Sequence, residues 1–279
     1  MTDQSSKEAP ISFIGCGVMA ESMIAGLLRN RLVAPANIAA SHPRAERRAE
    51  LAENYGINLF PDNSSAAEFG NSDSVVVICV KPQRMRAVLK ELSGKVRPEQ
   101  MVISIVAGTT METISDALGT RLVVRAMPNT PSQIGAGMTA WTCTEEVRSE
   151  QREQVKKLLS ALGKELFVET ENMIDMATSL SATGPTYTFL VMEAMTDAGV
   201  HLGFSREIAK ELVQQTMLGS VLFAMESHKH PAELRNMVTS PGGTSAEAIY
   251  QMEKGALRTV LSKAIYGAYR KAVELGKQK

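Results

Sequence analysis

The run VVVICV, residues 75–80, constrains the fold more than any other stretch. Apolar and mostly β-branched, without polar alternation, it suits a strand covered on both faces, as in a parallel sheet flanked by helices. Similar short runs predict strands at 11–14, 38–41, 102–106, 122–126, 138–142 and 165–168, with helical patterns between them. After Glu169 the strand signals stop. From Met173 onward apolar residues recur at helical spacing: Tyr187, Leu190, Val191 and Ala194 make one stripe, and Ile208, Leu212 and Met217 another. A chain of 279 residues exceeds the ~100–200 of a usual domain. The pattern predicts an α/β domain over residues 1–170 and an all-helical domain over 171–279.

The first predicted strand runs into FIGCGVMA, where Gly15, Gly17 and Ala20 stand in a GxGxxA spacing before a helix that begins near Val18. Gly15 permits the tight turn, Gly17 lets backbone amides approach a pyrophosphate, and Ala20 allows close packing of helix on strand. The helix N-terminus adds partial positive charge. On the first strand of an α/β half, this is a Rossmann-like dinucleotide-binding pattern. The end of the second strand bears on the choice of cofactor. An NAD site usually places Asp or Glu ~20 residues on, against the ribose hydroxyls, whereas a 2′-phosphate takes hydroxyls and a cation. Here AASHPRAERR has Ser41, His42 and Arg44 in place of the acid, which favours NADPH and leaves NADH open. Arg44 lies nearest the strand end; Arg47 and Arg48 fit a solvated helix face equally well. Three further strands end at Lys81-Pro82, at Ala107-Gly108 and in the MPNTP segment around Asn129. Ligands of open α/β sheets sit beyond such ends. Lys81 suits either a cofactor contact or a salt bridge.

A second donor-rich turn lies near the C-terminus, in TSPGGTSAEAIYQME. Thr244 to Glu247 has the form of a capping box, with Thr244 as N-cap and Glu247 reaching back. Gly242 and Gly243 free the chain to turn amides outward, and such a nest binds a carboxylate without an arginine. In SLSATGPTYTF, Gly184-Pro185 reads as an N-cap followed by proline at N1, with the Ser181 and Thr183 hydroxyls nearby. The formal net charge is zero, with no Lys/Arg stripe, which disfavours nucleic acid or a membrane surface as partner. Cys16, Cys79 and Cys143 are far apart, neither a disulfide framework nor a zinc spacing, and the four histidines show no ligand spacing, so no metal is expected. A reduced, cytoplasmic setting follows. The first ten residues are polar and no apolar stretch approaches the ~20 residues a bilayer needs.

Together FIGCGVMA, the VKP turn, MPNTP, the serine-glycine-proline-tyrosine turn and HPAELRNMVTSPGGTSAEAI resemble the pyrroline-5-carboxylate reductase family across nearly the whole chain. The resemblance implies an N-terminal Rossmann-like dinucleotide-binding domain, a C-terminal all-α dimerisation domain, NADPH usually preferred over NADH, and homodimers that often assemble into decamers. It implies reduction of 1-pyrroline-5-carboxylate, a cyclic imino acid, to proline. By the same resemblance Gly15, Gly17, Val18, Met19, Ser41, Asn63, Val80, Lys81, Pro82, Ala107, Gly108 and Asn129 contact the cofactor, beside His42 and Arg44 from the strand-end reading. Ser240, Gly242, Gly243, Thr244 and Ser245 form the substrate loop. Ser245 and Thr183 are the candidate catalytic hydroxyls, with Ser245 bonding the imine nitrogen; a substrate that enters already protonated needs no such donor. The chain departs from the family pattern at Ala182, Thr183 and Thr186, at Asn236 and at Ser245. Those departures keep open a reductase of another small cyclic imino acid, and a non-catalytic dinucleotide-binding relative.

Overall fold

A computed structural model describes residues 9–277; most of the polar N-terminal segment, residues 1–8, lies outside it. The chain divides into two compact units, one running to Thr183 and resuming at Ala268, the other Gly184–Gly267.

The first unit alternates strands and helices: β1 (Ile11–Ile14), α1 (Val18–Arg29), β2 (Ile38–Ser41), α2 (Ala45–Tyr55), β3 (Asn58–Phe60), α3 (Asn63–Ala67), β4 (Val75–Ile78), α4 (Met85–Leu92), β5 (Met101–Ser104), α5 (Met111–Leu118) and β6 (Val123–Met127). β7 (Gly137–Cys143), α6 (Ser149–Ser160), β8 (Gly163–Phe167) and α7 (Glu171–Ala177) follow. The eight strands form one sheet in the order β3-β2-β1-β4-β5-β6-β7-β8. Its parallel centre pairs Ile11 with Val75 and Ile14 with Ile78, and Val75 in turn with Met101.

Both faces are covered, as the β-branched runs require. Val75 and Val77 point into a core shared with Ile24 and Leu27 of α1 and Val155 and Leu159 of α6. Val76 and Ile78 point into the opposite core, with Met85 and Leu92 of α4 and Ile114 and Leu118 of α5. This is the period-two alternation of a strand, with apolar residues on both sides.

The sheet differs from the sequence reading in three places. β7 runs antiparallel to β6. The 128–136 connection is shorter than the dozen or so residues that a parallel crossover needs, so the strand must turn back. β3 was not expected, because Asn-Leu-Phe carries no β-branched residue; it is a short, half-buried edge beside β2. β4 stops at Ile78 rather than at residue 80. Cys79 N still donates to Ile14 O at 2.9 Å, but Val80 has already turned under the first glycine loop.

A single buried cation ties α7 to the sheet. Arg125 on β6 is 1% exposed, with Nη1 3.1 Å from Glu171 Oε1 and Nη2 2.7 Å from Asp175 Oδ1. Glu171 Oε1 also accepts from Met111 N at 2.8 Å, so one carboxylate closes the start of α5 and neutralises the arginine. This bond set carries the sheet unit past residue 170.

The second unit contains α8 (Gly184–His201), α9 (Arg206–Ser227), α10 (Pro231–Met237) and α11 (Thr244–Lys254), and α12 (Leu257–Lys277) begins in it. Gly199 lets α8 lie close on α9, where an added Cβ would stand 2.9 Å from Ala209 Cβ. Ala209 and Val213 are buried, but Leu190, Ile208, Leu212, Leu222 and Phe223 are exposed. Among the described residues no helix is long and apolar enough to cross a membrane.

Candidate active site

The residues expected to meet the cofactor lie along one edge of the parallel sheet, at or just beyond the carboxyl ends of β1 to β6. At the switch point between β1 and β4 the chain makes a tight turn. Gly15 has φ +85°, a left-handed conformation that favours glycine. A Cβ there would meet Val80 Cγ1 at 2.7 Å. Gly17 is the N-cap of α1, with no side-chain cap, and the amides of Val18 and Met19 find no acceptor among the described residues. Those are the open donors of a helix start, carrying the positive end of its dipole.

Ser41 and Asn63 shape this turn from behind. Gly15 N donates to Ser41 Oγ at 2.8 Å, Ser41 Oγ donates to Asn63 Oδ1 at 2.7 Å, and Asn63 Nδ2 donates to Glu91 Oε2 at 2.7 Å. Ser41 is 1% exposed, so its hydroxyl holds the loop and does not face solvent. The three arginines after β2 separate by their partners. Arg47 pairs with Glu21 and Glu50, and Arg48 Nη1 donates to the His42 and Pro43 carbonyls at 2.8 Å each. Arg44 is exposed, and its guanidinium has no partner among the described residues. Of these three arginines it is the one without a partner among the described residues. Desolvation, then the neighbouring arginine charges, lowers the His42 pKa below that of an ordinary imidazole.

At the next strand ends Lys81 is exposed and makes no salt bridge among the described residues, and Pro82 opens a short 3-10 turn. Pro82, Ala107 and Gly108 line a cleft of about 910 Å3. Asn129 is differently employed. Its Oδ1 accepts from Met138 N at 2.9 Å and its Nδ2 donates to Ser181 O at 3.3 Å.

That last bond explains the segment after α7. Residues Thr178–Ala182 form a π-turn, and Thr183 N donates to Thr178 O at 2.9 Å, five residues back. The chain remains helical into α8, so Gly184 is not the N-cap that the sequence suggested. Pro185 has no N–H to offer the carbonyl four residues earlier, Ser181 O, and the Asn129 amide takes its place. Thr183 Oγ1 donates to Thr178 O at 2.8 Å, leaving its lone pairs to accept.

The glycine loop before α11 repeats the design of the first. Gly243, and not Thr244, is the N-cap, and no side chain caps the helix. Glu247 does not reach back; its Oε1 accepts from Gln251 Nε2 at 2.7 Å. Gly242 has φ +71°, and a Cβ on Gly243 would meet Ser240 Oγ at 2.5 Å. The amides of Thr244 and Ser245 have no acceptor among the described residues, and neither do the Ser240 and Ser245 hydroxyls. Among the described helices, α1 and α11 are the two with a glycine as N-cap. Each presents bare amides where other helices spend a side chain: Asp62 caps α3, Thr110 caps α5 and Ser205 caps α9.

The sequence reading had passed over Arg125. A lone arginine inside the apolar strand VVRAM needs buried partners. Glu171 and Asp175, one turn apart on α7, supply them. The spacing Glu-x-x-x-Asp was the available signal.

The curated pyrroline-5-carboxylate reductase of Pseudomonas aeruginosa is 43% identical to this chain, covering 96% of it and 97% of its own length. The chain belongs to the pyrroline-5-carboxylate reductase family. A family model described as pyrroline-5-carboxylate reductase dimerisation matches residues 171–275, and one described as NADP oxidoreductase, coenzyme F420-dependent, matches residues 10–108. Among solved structures, a pyrroline-5-carboxylate reductase from Coxiella burnetii superposes with TM-score 0.87 at 36% identity, covering 98% of this chain and all of its own. The Plasmodium falciparum pyrroline carboxylate reductase, solved with NADP bound, gives TM-score 0.88 at 27% identity over 97% of this chain and 99% of its own. The glycine turn, the unpaired Arg44 and the open α11 start thus belong to a reductase family with a nucleotide-binding half and a dimerising half.

Proposed function

We infer that this chain reduces 1-pyrroline-5-carboxylate to L-proline with NAD(P)H. The observation that carries the reading is the pair of uncapped glycine helix starts, within a chain that matches reductases of this name from end to end. When bound, the dinucleotide supplies a hydride to the imine carbon. The amides of Val18 and Met19, with Gly15 and Gly17, receive its diphosphate, and Arg44 with His42 receives the 2′-phosphate. Val80, Lys81, Pro82, Ala107 and Gly108 border the rest, and Ser41, Asn63 and Asn129 hold that frame.

The substrate carboxylate sits on the amides of Thr244 and Ser245, in the loop of Ser240, Gly242 and Gly243. Such a nest fixes a small acid so that its imine carbon is held at near-attack distance, which accounts for much of the rate. The Ser245 hydroxyl bonds the imine nitrogen, whose proton comes from solvent, while Thr183 Oγ1, donating to Thr178 O, keeps lone pairs free to accept. Cys16 and Cys79 take no part, since burial pushes Cys16 up to about 12 and Cys79 higher than an ordinary thiol, keeping both protonated. The unit that runs to Thr183 and resumes at Ala268 binds the nucleotide, and Gly184–Gly267 carries the substrate loop and the dimerising helices. The exposed apolar stripes of α8 and α9 pair two copies, and dimers gather into a decamer. Free cysteines and a formal net charge of zero fit a cytoplasmic enzyme.

The test is to mix protein, NADPH and pyrroline-5-carboxylate and follow both cofactor absorbance and proline. Stoichiometric loss of NADPH and gain of proline is expected. Binding of NADPH with no oxidation by this or any cyclic imino acid would reject the reading.

A further inference from the structure

Gly276 lies one residue from the C-terminal end of α12, far in sequence from every residue assigned above. Glycine inside a helix is ordinarily less stable than alanine, so its presence calls for a reason. The reason is visible in the packing. A Cβ placed on Gly276 would stand 2.9 Å from the Gly108 carbonyl oxygen, and a Cβ on Gly108 would stand 2.9 Å from Leu275 C and 3.0 Å from Gly276 N. The two glycines meet backbone to backbone. Neither has a flexible side-chain tip that can swing away, so any added atom must displace main chain.

What it would displace is the loop after β5. Gly108 is buried with φ +81°, between Ala107 and the Thr110 cap of α5. Ala107, Gly108, Thr109, Leu275 and Gly276 line the same cleft of about 910 Å3. α12 is anchored at this end. Ala272, one turn earlier on the same face, is 4% exposed, and Tyr269 OH donates to Asn172 Oδ1 at 3.0 Å. The end of α12 is therefore a fixed surface against which the loop rests, and not a fraying terminus.

We propose that Gly276 is a positioning residue for the cofactor: by lacking a side chain, it lets α12 hold the Ala107–Gly108 loop in the conformation that receives the dinucleotide. This rests on the reductase reading above, in which Ala107 and Gly108 border the cofactor. Gly276 acts through the Gly108 carbonyl, which its Cα faces.

The experiment measures NADPH affinity by nucleotide fluorescence, which needs no turnover, together with the two KM values, in Gly276→Ala, Gly276→Val and Gly267→Ala. Gly267 lies in the same helix with nothing within 4 Å of its Cβ position, and serves as the propensity control. Overpacking against main chain should weaken NADPH binding about three- to tenfold in Gly276→Ala and more in Gly276→Val. The KM for pyrroline-5-carboxylate should stay within about twofold, since the substrate loop is untouched. A helix end with no positioning role gives the reverse for Gly276→Ala: unchanged NADPH affinity and a melting temperature equal to or above that of the parent, as helix propensity alone dictates. Unchanged NADPH affinity in both Gly276 variants, whatever their melting temperatures, overturns the proposal. Failure of the parent protein to turn over, with NADPH still bound, instead counts against the reductase reading.

Discussion

The two compact units solve the problem of burial differently. In the sheet unit, β1, β2, β4, β5 and β6 are buried throughout, and helices cover both faces. In the helical unit α8, α10 and α11 bury no residue fully, and large apolar side chains of α8 and α9 face outward. Apolar side chains exposed in this number commonly mark a face that meets another chain. The sheet unit has a finished core of its own; the helical unit does not, and the family model described as dimerisation matches it within residues 171–275. One unit is thus tuned by what lies within it and the other by what it meets.

The largest expected effect follows from that contrast. Phe223→Glu puts a charge on the exposed face of α9, and burying it unpaired between copies should cost about 3–5 kcal/mol, roughly a hundred- to several-thousandfold in dissociation constant. Analytical ultracentrifugation should find single chains. A variant that still assembles like the parent would show that this face is not the interface. In the sheet unit the corresponding weak point is internal. Arg125→Ala leaves Glu171 and Asp175 facing each other without their cation, and should lower stability by about 3–5 kcal/mol, read by denaturant melts. It should do so without changing the association state.

Smaller effects divide the cofactor from the rest. Arg44→Glu should weaken NADPH about tenfold to a hundredfold, and NADH by no more than about twofold, because only the former carries the phosphate. Equal losses on both nucleotides would remove Arg44 from that role. A further effect, on pH dependence, belongs to the sheet unit. Desolvation first, then the Glu21 charge, pushes Cys16 up to about 12 from 9.0. Between these values the native thiol keeps its proton while the unfolded chain releases it, so stability should fall as pH rises through that interval. Cys16→Ala should flatten that decline relative to the parent.

The sequence was most legible where one residue type has one physical use. Gly15 and Gly17 could be placed because a left-handed turn and an open helix start each favour glycine, and Val75 to Ile78 because β-branched runs suit a strand covered on both faces. It was misleading where two signals compete. Thr244 and Glu247 spell a capping box, yet Gly243 takes the cap, and the nest stays open because of it. The π-turn at Thr178–Ala182 was not legible, since its stability depends on Asn129, about fifty residues earlier in the chain, taking the carbonyl that Pro185 leaves free. β3 and the Arg125 cluster are products of tertiary packing, and Asn-Leu-Phe or one arginine in a strand carries little local signal.

The division of labour between the two units is tested most directly by the separate KM values of Gly243→Val. A Cβ there stands 2.5 Å from Ser240 Oγ and 3.2 Å from the Ser240 carbonyl oxygen, and a branched side chain adds bulk beside the amide nest before α11. The KM for pyrroline-5-carboxylate should rise about tenfold or more, while that for NADPH stays within about twofold. If the imino acid KM is unchanged, or NADPH is the reactant that suffers, the acid is not held where the second glycine loop places it.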